Sequence, residues 1–284
     1  MTESTDAARR DLLLPDVEFE AQDAAVDGPA ERPRRPRSPR RRRTWIEGGT
    51  SVQHWGWELL GWAVLALGAG LVAGAALNEF LPQPIGPTLS LLALWVAFAV
   101  PVLLAFRRSV PRALLRFRPL DLLYALALGI LLRIVQGWLD MAAGGTGAWP
   151  SYPTAGGALP AGWLFDELVA ATVVGPVLEE FFFRGLILVA AYTAVRRLAG
   201  RGVAGFAATL VSTGLFVAAH ALLVPAAWDQ ALSLALVGIV ASLLVLLTGR
   251  IWAAVLMHVV YNGLWVALAT VGTLLGGSSG ATLG

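Results

Sequence analysis

The chain contains no cysteine, which excludes disulfides and thiolate metal sites. It contains no lysine either: all 21 basic residues are arginine. That bias is of the kind a GC-rich genome imposes, and it points to a bacterial source. Charge is scarce. Only 14% of the residues are charged and 57% are hydrophobic, where ordinary soluble domains carry about 25% charged residues. This shortage argues against a soluble domain and predicts an all-α fold, a polytopic transmembrane helix bundle.

The charge that exists is segregated. Residues 1–31 hold nine acids and only two bases, Arg9 and Arg10. Residues 32–43, RPRRPRSPRRRR, hold eight arginines and three prolines. Neither piece has helical or strand periodicity, so residues 1–50 read as a disordered cytoplasmic tail, acidic and then Arg-rich. The first long apolar run begins only near Trp55, which argues against a removable signal peptide. The arginine block lies about a dozen residues before a span. That position favours an anchor on anionic lipid over a nucleic-acid contact, and no nucleic-acid partner is expected.

About seven apolar segments follow (six to eight), near 57–78, 88–106, 119–139, 163–195, 203–224, 231–248 and 251–275, within a membrane domain of 55–276. Each is near or above the ~20 residues a bilayer core requires. The fourth is too long for one straight crossing, and Gly175-Pro176 within it predicts a kink or break before the glutamates. Arginines cluster after spans 2 and 4 and Arg250 follows span 6, while the connections 79–87, 140–162 and 225–230 have none. This predicts a cytoplasmic N-terminus and an external C-terminus in a bacterial cytoplasmic membrane. The Gly/Pro-rich connection 144–162 is long enough to cover an opening to the bundle.

Polar residues inside the spans are few: Arg133, Gln136, Asp166, Glu167, Glu179, Glu180, Arg184, Ser212, Thr213, His220, His258 and Asn262. An ionisable group at membrane depth is a functional candidate by default. Glu180 and Arg184 are i,i+4 neighbours and can neutralise each other. Glu179 points about 100° away round the helix and needs another partner or water. A carboxylate without a cation in low dielectric is a competent base near neutral pH. His258 and Asn262 share a helix face, as do Phe216 and His220. Two histidines, a glutamate and an asparagine can activate water and stabilise an oxyanion. Two histidines and a glutamate are equally a zinc ligand set with an open position, although no HExxH helix is present.

Plainer readings compete. Each histidine alone is as well explained by a hydrogen bond between helices. The Glu180–Arg184 pair could simply lock a helix. Phe181, Phe182 and Phe183 read as packing or lipid-facing residues, and Ser212 and Thr213 as contacts between helices. Arg133 reads as snorkelling or pairing with Asp166 or Glu167. Straight helices also place His220 and His258 at depths roughly 13 Å apart at about 1.5 Å per residue.

Together the polar positions resemble the CPBP family of intramembrane proteases. That family includes type II CAAX prenyl endopeptidases and Abi-type bacteriocin-processing and self-immunity proteins. Its pattern of EExxxR, FxxxH and HxxxN appears as Glu179-Glu180-FFF-Arg184, Phe216-VAA-His220 and His258-VVY-Asn262, within a core of 160–265. The resemblance implies an intramembrane endopeptidase acting on a membrane-associated peptide or protein. It gives catalytic roles to Glu179, His220, His258 and Asn262 and supporting roles to Glu180, Arg184 and Phe216. It leaves open a divalent metal such as zinc, held by Glu179, His220 and His258. The alternative is a non-catalytic membrane scaffold or self-immunity protein of the same fold.

Overall fold

The computed structural model describes residues 44–154, 157–223 and 227–280, with the side chains of 277–280 left aside. Among these residues the structure is helical, without strands. Six helices are long and apolar enough to cross a membrane: α1 (Trp57–Phe80), α2 (Ile85–Arg108), α3 (Leu120–Ala142), α4 (Leu164–Leu223), α5 (Trp228–Thr248) and α6 (Trp252–Gly276). Their outward faces carry large apolar side chains such as Leu65, Val72, Leu103 and Leu131, as a lipid-facing bundle requires.

The fourth helix has 60 residues, roughly 90 Å at 1.5 Å per residue, against a hydrocarbon core of about 30 Å. It is two arms. Gly200 breaks it with φ 78° and ψ −178°, a conformation that glycine adopts without the steric cost of a Cβ. The six candidate spans, the fourth of them bent into two arms, fall within the six to eight expected from the apolar segments. The end of the first arm reaches the N-terminal segment, where Arg196 donates to Glu47 O at 2.9 Å and Arg197 to Gln53 O at 2.5 Å.

The expected break at Gly175-Pro176 is instead a change of winding. Gly175–Glu180 is α-helical between two π-helical stretches, Leu164–Val174 and Phe181–Leu188. Gly175 N donates to Ala170 O, five residues back. Pro176 has no N–H and cannot serve the next carbonyl, Ala171 O.

Helices pair α1 on α2, α3 on α6, and the second arm of α4 on α5. Small residues permit the close approaches. A Cβ at Gly70 would lie 2.4 Å from Ala97 Cβ, and one at Gly129 2.7 Å from Val260 Cγ1.

At the arginine-rich end, residues 44–55 and 109–118 fold over the bundle. Trp45 is 1% exposed, and its Nε1 donates to Gly249 O at 3.0 Å. Its ring meets Tyr192 edge-on at 5.6 Å, and Tyr192 donates to Ile46 O at 3.2 Å. Residues 44–50 are thus packed chain, which shortens the expected tail; residues 1–43, including the arginine block, lie outside the described residues. The α5–α6 turn is buried beneath this cover: Ile251 N donates to Leu114 O at 2.9 Å, and Trp252 Nε1 to Leu115 O at 2.8 Å. Arg250, which the sequence presents as a loop arginine, forms a 2.6 Å ion pair with fully buried Asp121.

Candidate active site

The paired glutamates occupy very different surroundings. Glu180 and Arg184 are both fully buried, with Nη1 and Oε1 at 3.0 Å. The same Oε1 accepts a 3.0 Å hydrogen bond from His258 Nδ1. Burying two charges carries a desolvation cost that only close pairing offsets. Arg184 also lies over the Phe216 ring, 4.5 Å from its centroid, a cation–π contact strengthened by the absence of water. The room for this guanidinium comes from α5: a Cβ at Gly238 would stand 3.2 Å from Arg184 Nη2 and 2.8 Å from Thr213 Cγ2.

Glu179 is on the open side. Its side chain is 19% exposed, and its Oε2 lies 3.9 Å from His258 Nε2. That separation exceeds a hydrogen bond, so Glu179 is close to the histidine without being consumed by it. The inferred division of the pair, one carboxylate neutralised and one left over, matches this geometry. The extra partner of Glu180, His258, was not foreseen.

Phe216 is the hub of the cluster. Its ring centroid lies 4.5 Å from that of His220 and 5.9 Å from that of His258. The two histidines therefore flank one side chain, and the expected depth mismatch is closed. The turn that leads into α6 is itself buried, with Ile251 bonded to Leu114 O and Trp252 to Leu115 O. His220 Nδ1 donates to Phe216 O at 2.8 Å, which fixes its tautomer and leaves Nε2 free.

Asn262 ties α6 to the π-helical stretch. Its Nδ2 donates to Ala171 O at 2.8 Å, the carbonyl that Pro176 cannot serve. A cavity of about 260 Å³ opens beside it, lined in part by Arg133, Gln136, Glu167 and Tyr261. Arg133 does not pair with Asp166 or Glu167 among the described ion pairs. It donates to Tyr261 O through Nε at 3.0 Å and Nη2 at 2.5 Å, and through Nη1 to Gln136 Oε1. The Tyr261 hydroxyl donates to Gln136 at 2.6 Å and meets Ser233 Oγ at 2.8 Å. The 144–162 connection reaches this edge: buried Tyr152 donates its N–H to Thr273 Oγ1 at 2.8 Å and packs on Trp265, another lining residue.

The remaining residues pack. Phe182 and Phe183 are fully buried. Ser212 donates to Phe183 O at 2.9 Å. Sequence reading overlooked Gly238, whose only signal is a lone glycine in an apolar span opposite a buried arginine, and Tyr261, visible within HVVYN but unassigned.

Residues 161–264 match the family model described as type II CAAX prenyl endopeptidase Rce1-like. That is the family this stretch is similar to, and the match takes in less than half of the 284-residue chain. It coincides with the motif core and spans the Glu179–Glu180, Phe216–His220 and His258–Asn262 positions. No curated protein and no solved structure matched the chain.

The matched stretch also presents zinc-compatible donors in Glu179 Oε2, His220 Nε2 and His258 Nε2. As they are arranged, no three His, Asp or Glu side chains among the described residues converge on a point where one ion could be held.

Proposed function

We propose that this protein is an intramembrane endopeptidase that hydrolyses a peptide bond in a membrane-associated protein or peptide. The observation that carries the reading is the inequality of Glu179 and Glu180. Glu180 is occupied by Arg184 and His258, whereas Glu179 is accessible and unpaired within hydrogen-bond distance. A site that held both carboxylates for structure would have no reason to leave one open to water.

In the proposed reaction Glu179 accepts a proton from water as the hydroxide adds to the scissile carbonyl carbon. His220 Nε2, free because Nδ1 is committed to Phe216 O, holds the water in line. The oxyanion is met by the second N–H of Asn262 Nδ2, with His258, held by Glu180, beside it. Glu179 then returns its proton to the leaving nitrogen as the C–N bond breaks. Glu180 and Arg184 fix His258, and Phe216 fixes both rings. The protein lies with its arginine-rich end in the cytoplasm, and anionic lipid meets the Arg-rich 32–43 segment.

The test is cleavage of a peptide library by purified protein in nanodiscs, comparing wild type with Glu179→Gln at equal folded amounts, each with and without chelator. Cleavage by wild type and its loss in the variant are expected. Equal cleavage by both would remove Glu179 as the base. Loss of wild-type cleavage with chelator would show that the reaction depends on a metal.

A further inference from the structure

Far from the glutamates, two cavities meet at one side chain. At the arginine-rich ends of α1 and α2, an open polar cavity of about 520 Å³ is lined in part by His54, Glu58, Arg108 and Arg197. An apolar groove of about 370 Å³ runs between α1 and α2, lined by residues that include Leu59, Trp62, Pro101 and Leu104. Arg108 borders both. The geometry points to a binding site for an anionic phospholipid, with its phosphate between Arg108 and Arg197 and one acyl chain along the α1–α2 groove.

The placement suits that ligand and no simpler one. The start of α1 and the end of α2 are at one level, since Trp55 Nε1 donates to Ser109 Oγ at 3.0 Å and Arg108 faces Glu58. From Arg108 the groove descends along α2 to Val100, roughly 12 Å at 1.5 Å per residue. It thus leads from headgroup level into the hydrocarbon region, as an acyl chain does. Trp57 and Trp62 are both 59% exposed, and tryptophan is enriched at this boundary. A free phosphate would use the polar cavity but not the groove; an alkyl chain alone would ignore the arginines.

Glu58 is the one carboxylate in the polar cavity, and its contact with Arg108 is weak. The ion pair is 3.4 Å long, with side chains 47% and 71% exposed for Arg108 and Glu58. Such pairs are readily exchanged for a better partner. A phosphate accepts two parallel N–H bonds from a guanidinium. Glu58 therefore tunes the site downward: it opposes anions without blocking them.

The experiment is native mass spectrometry of the full chain with added phosphatidylglycerol or phosphatidylcholine of identical acyl chains. Expected is preferential retention of phosphatidylglycerol, lowered about tenfold in Arg108→Gln/Arg197→Gln and raised in Glu58→Gln. Trp62→Ala should weaken retention of both lipids. Glycerol phosphate, which lacks the chains, should not compete. Arg112→Gln/Arg201→Gln, at the same end of the bundle but outside both cavities, should leave the preference unchanged. Equal loss in that control would reduce the effect to general surface charge and overturn the site. Equal retention of the two lipids, or no gain in Glu58→Gln, would do the same even if the double-arginine variant failed to fold.

Discussion

Adjacent glutamates should respond in opposite ways to one and the same change. Glu180→Gln leaves Arg184 a fully buried charge without its 3.0 Å ion-pair partner, and Arg184→Gln leaves buried Glu180 with only its hydrogen bond from His258. Breaking such a pair from one side costs about 3–5 kcal/mol. Glu179→Gln removes a charge whose nearest cationic candidate is 3.9 Å away and whose side chain reaches water. Its cost to stability should stay below about 1 kcal/mol, while loss of a general base lowers turnover by about 10²–10⁴-fold. The assay is paired: unfolding in a fixed detergent, and peptide cleavage at equal folded amounts. The double variant Glu180→Gln/Arg184→Gln should recover part of the stability of either single variant, because neither charge is stranded. The reasoning fails if Glu179→Gln destabilises as much as Arg184→Gln. It fails equally if Glu180→Gln unfolds no more easily than wild type.

Other predictions concern the supports of the site. Asn262→Ala leaves Ala171 O without a donor and should cost about 1–3 kcal/mol, with faster hydrogen exchange confined to the stretch around 164–176. Gly238→Ala drives a methyl against Thr213 and Arg184; overpacking of about 1–3 kcal/mol is expected, and Thr213→Ser in the same chain should return part of it by removing Cγ2. Trp45→Ala removes a buried indole and its bond to Gly249 O. A loss of about 3–5 kcal/mol should appear together with proteolytic cutting near residues 44–55, and unchanged cutting there would disprove the role of Trp45 in holding the cover.

The motif residues were legible because their chemistry is rare in this setting. A chain with three histidines and few membrane-depth charges leaves little choice about which groups could meet. The i,i+4 geometry of one helix also suffices to pair Glu180 with Arg184 before any tertiary contact is known. The second partner of Glu180 was not legible, since His258 lies 78 residues away on another helix. Nor was the fate of Asn262: it hydrogen-bonds a carbonyl freed by Pro176, and that depends on π winding which no apolar periodicity reveals. Arg133 shows the same limit. Charge complementarity suggested Asp166 or Glu167, but the helix packing set its guanidinium against Tyr261 O instead.

By itself the sequence determined the membrane class, the helical spans and the identity of the polar cluster. Hydropathy over ~20 residues, rare intramembrane charge and helical spacing are local properties that need no neighbour. The tertiary structure decided the depth at which the cluster assembles. Residues 44–55 and 109–118 cover the α5–α6 turn, and the placement of α6 against the second arm of α4 sets both histidine rings on Phe216. It also decided which glutamate is free, because burial and hydrogen-bond partners arise only when α4, α5 and α6 close around Arg184.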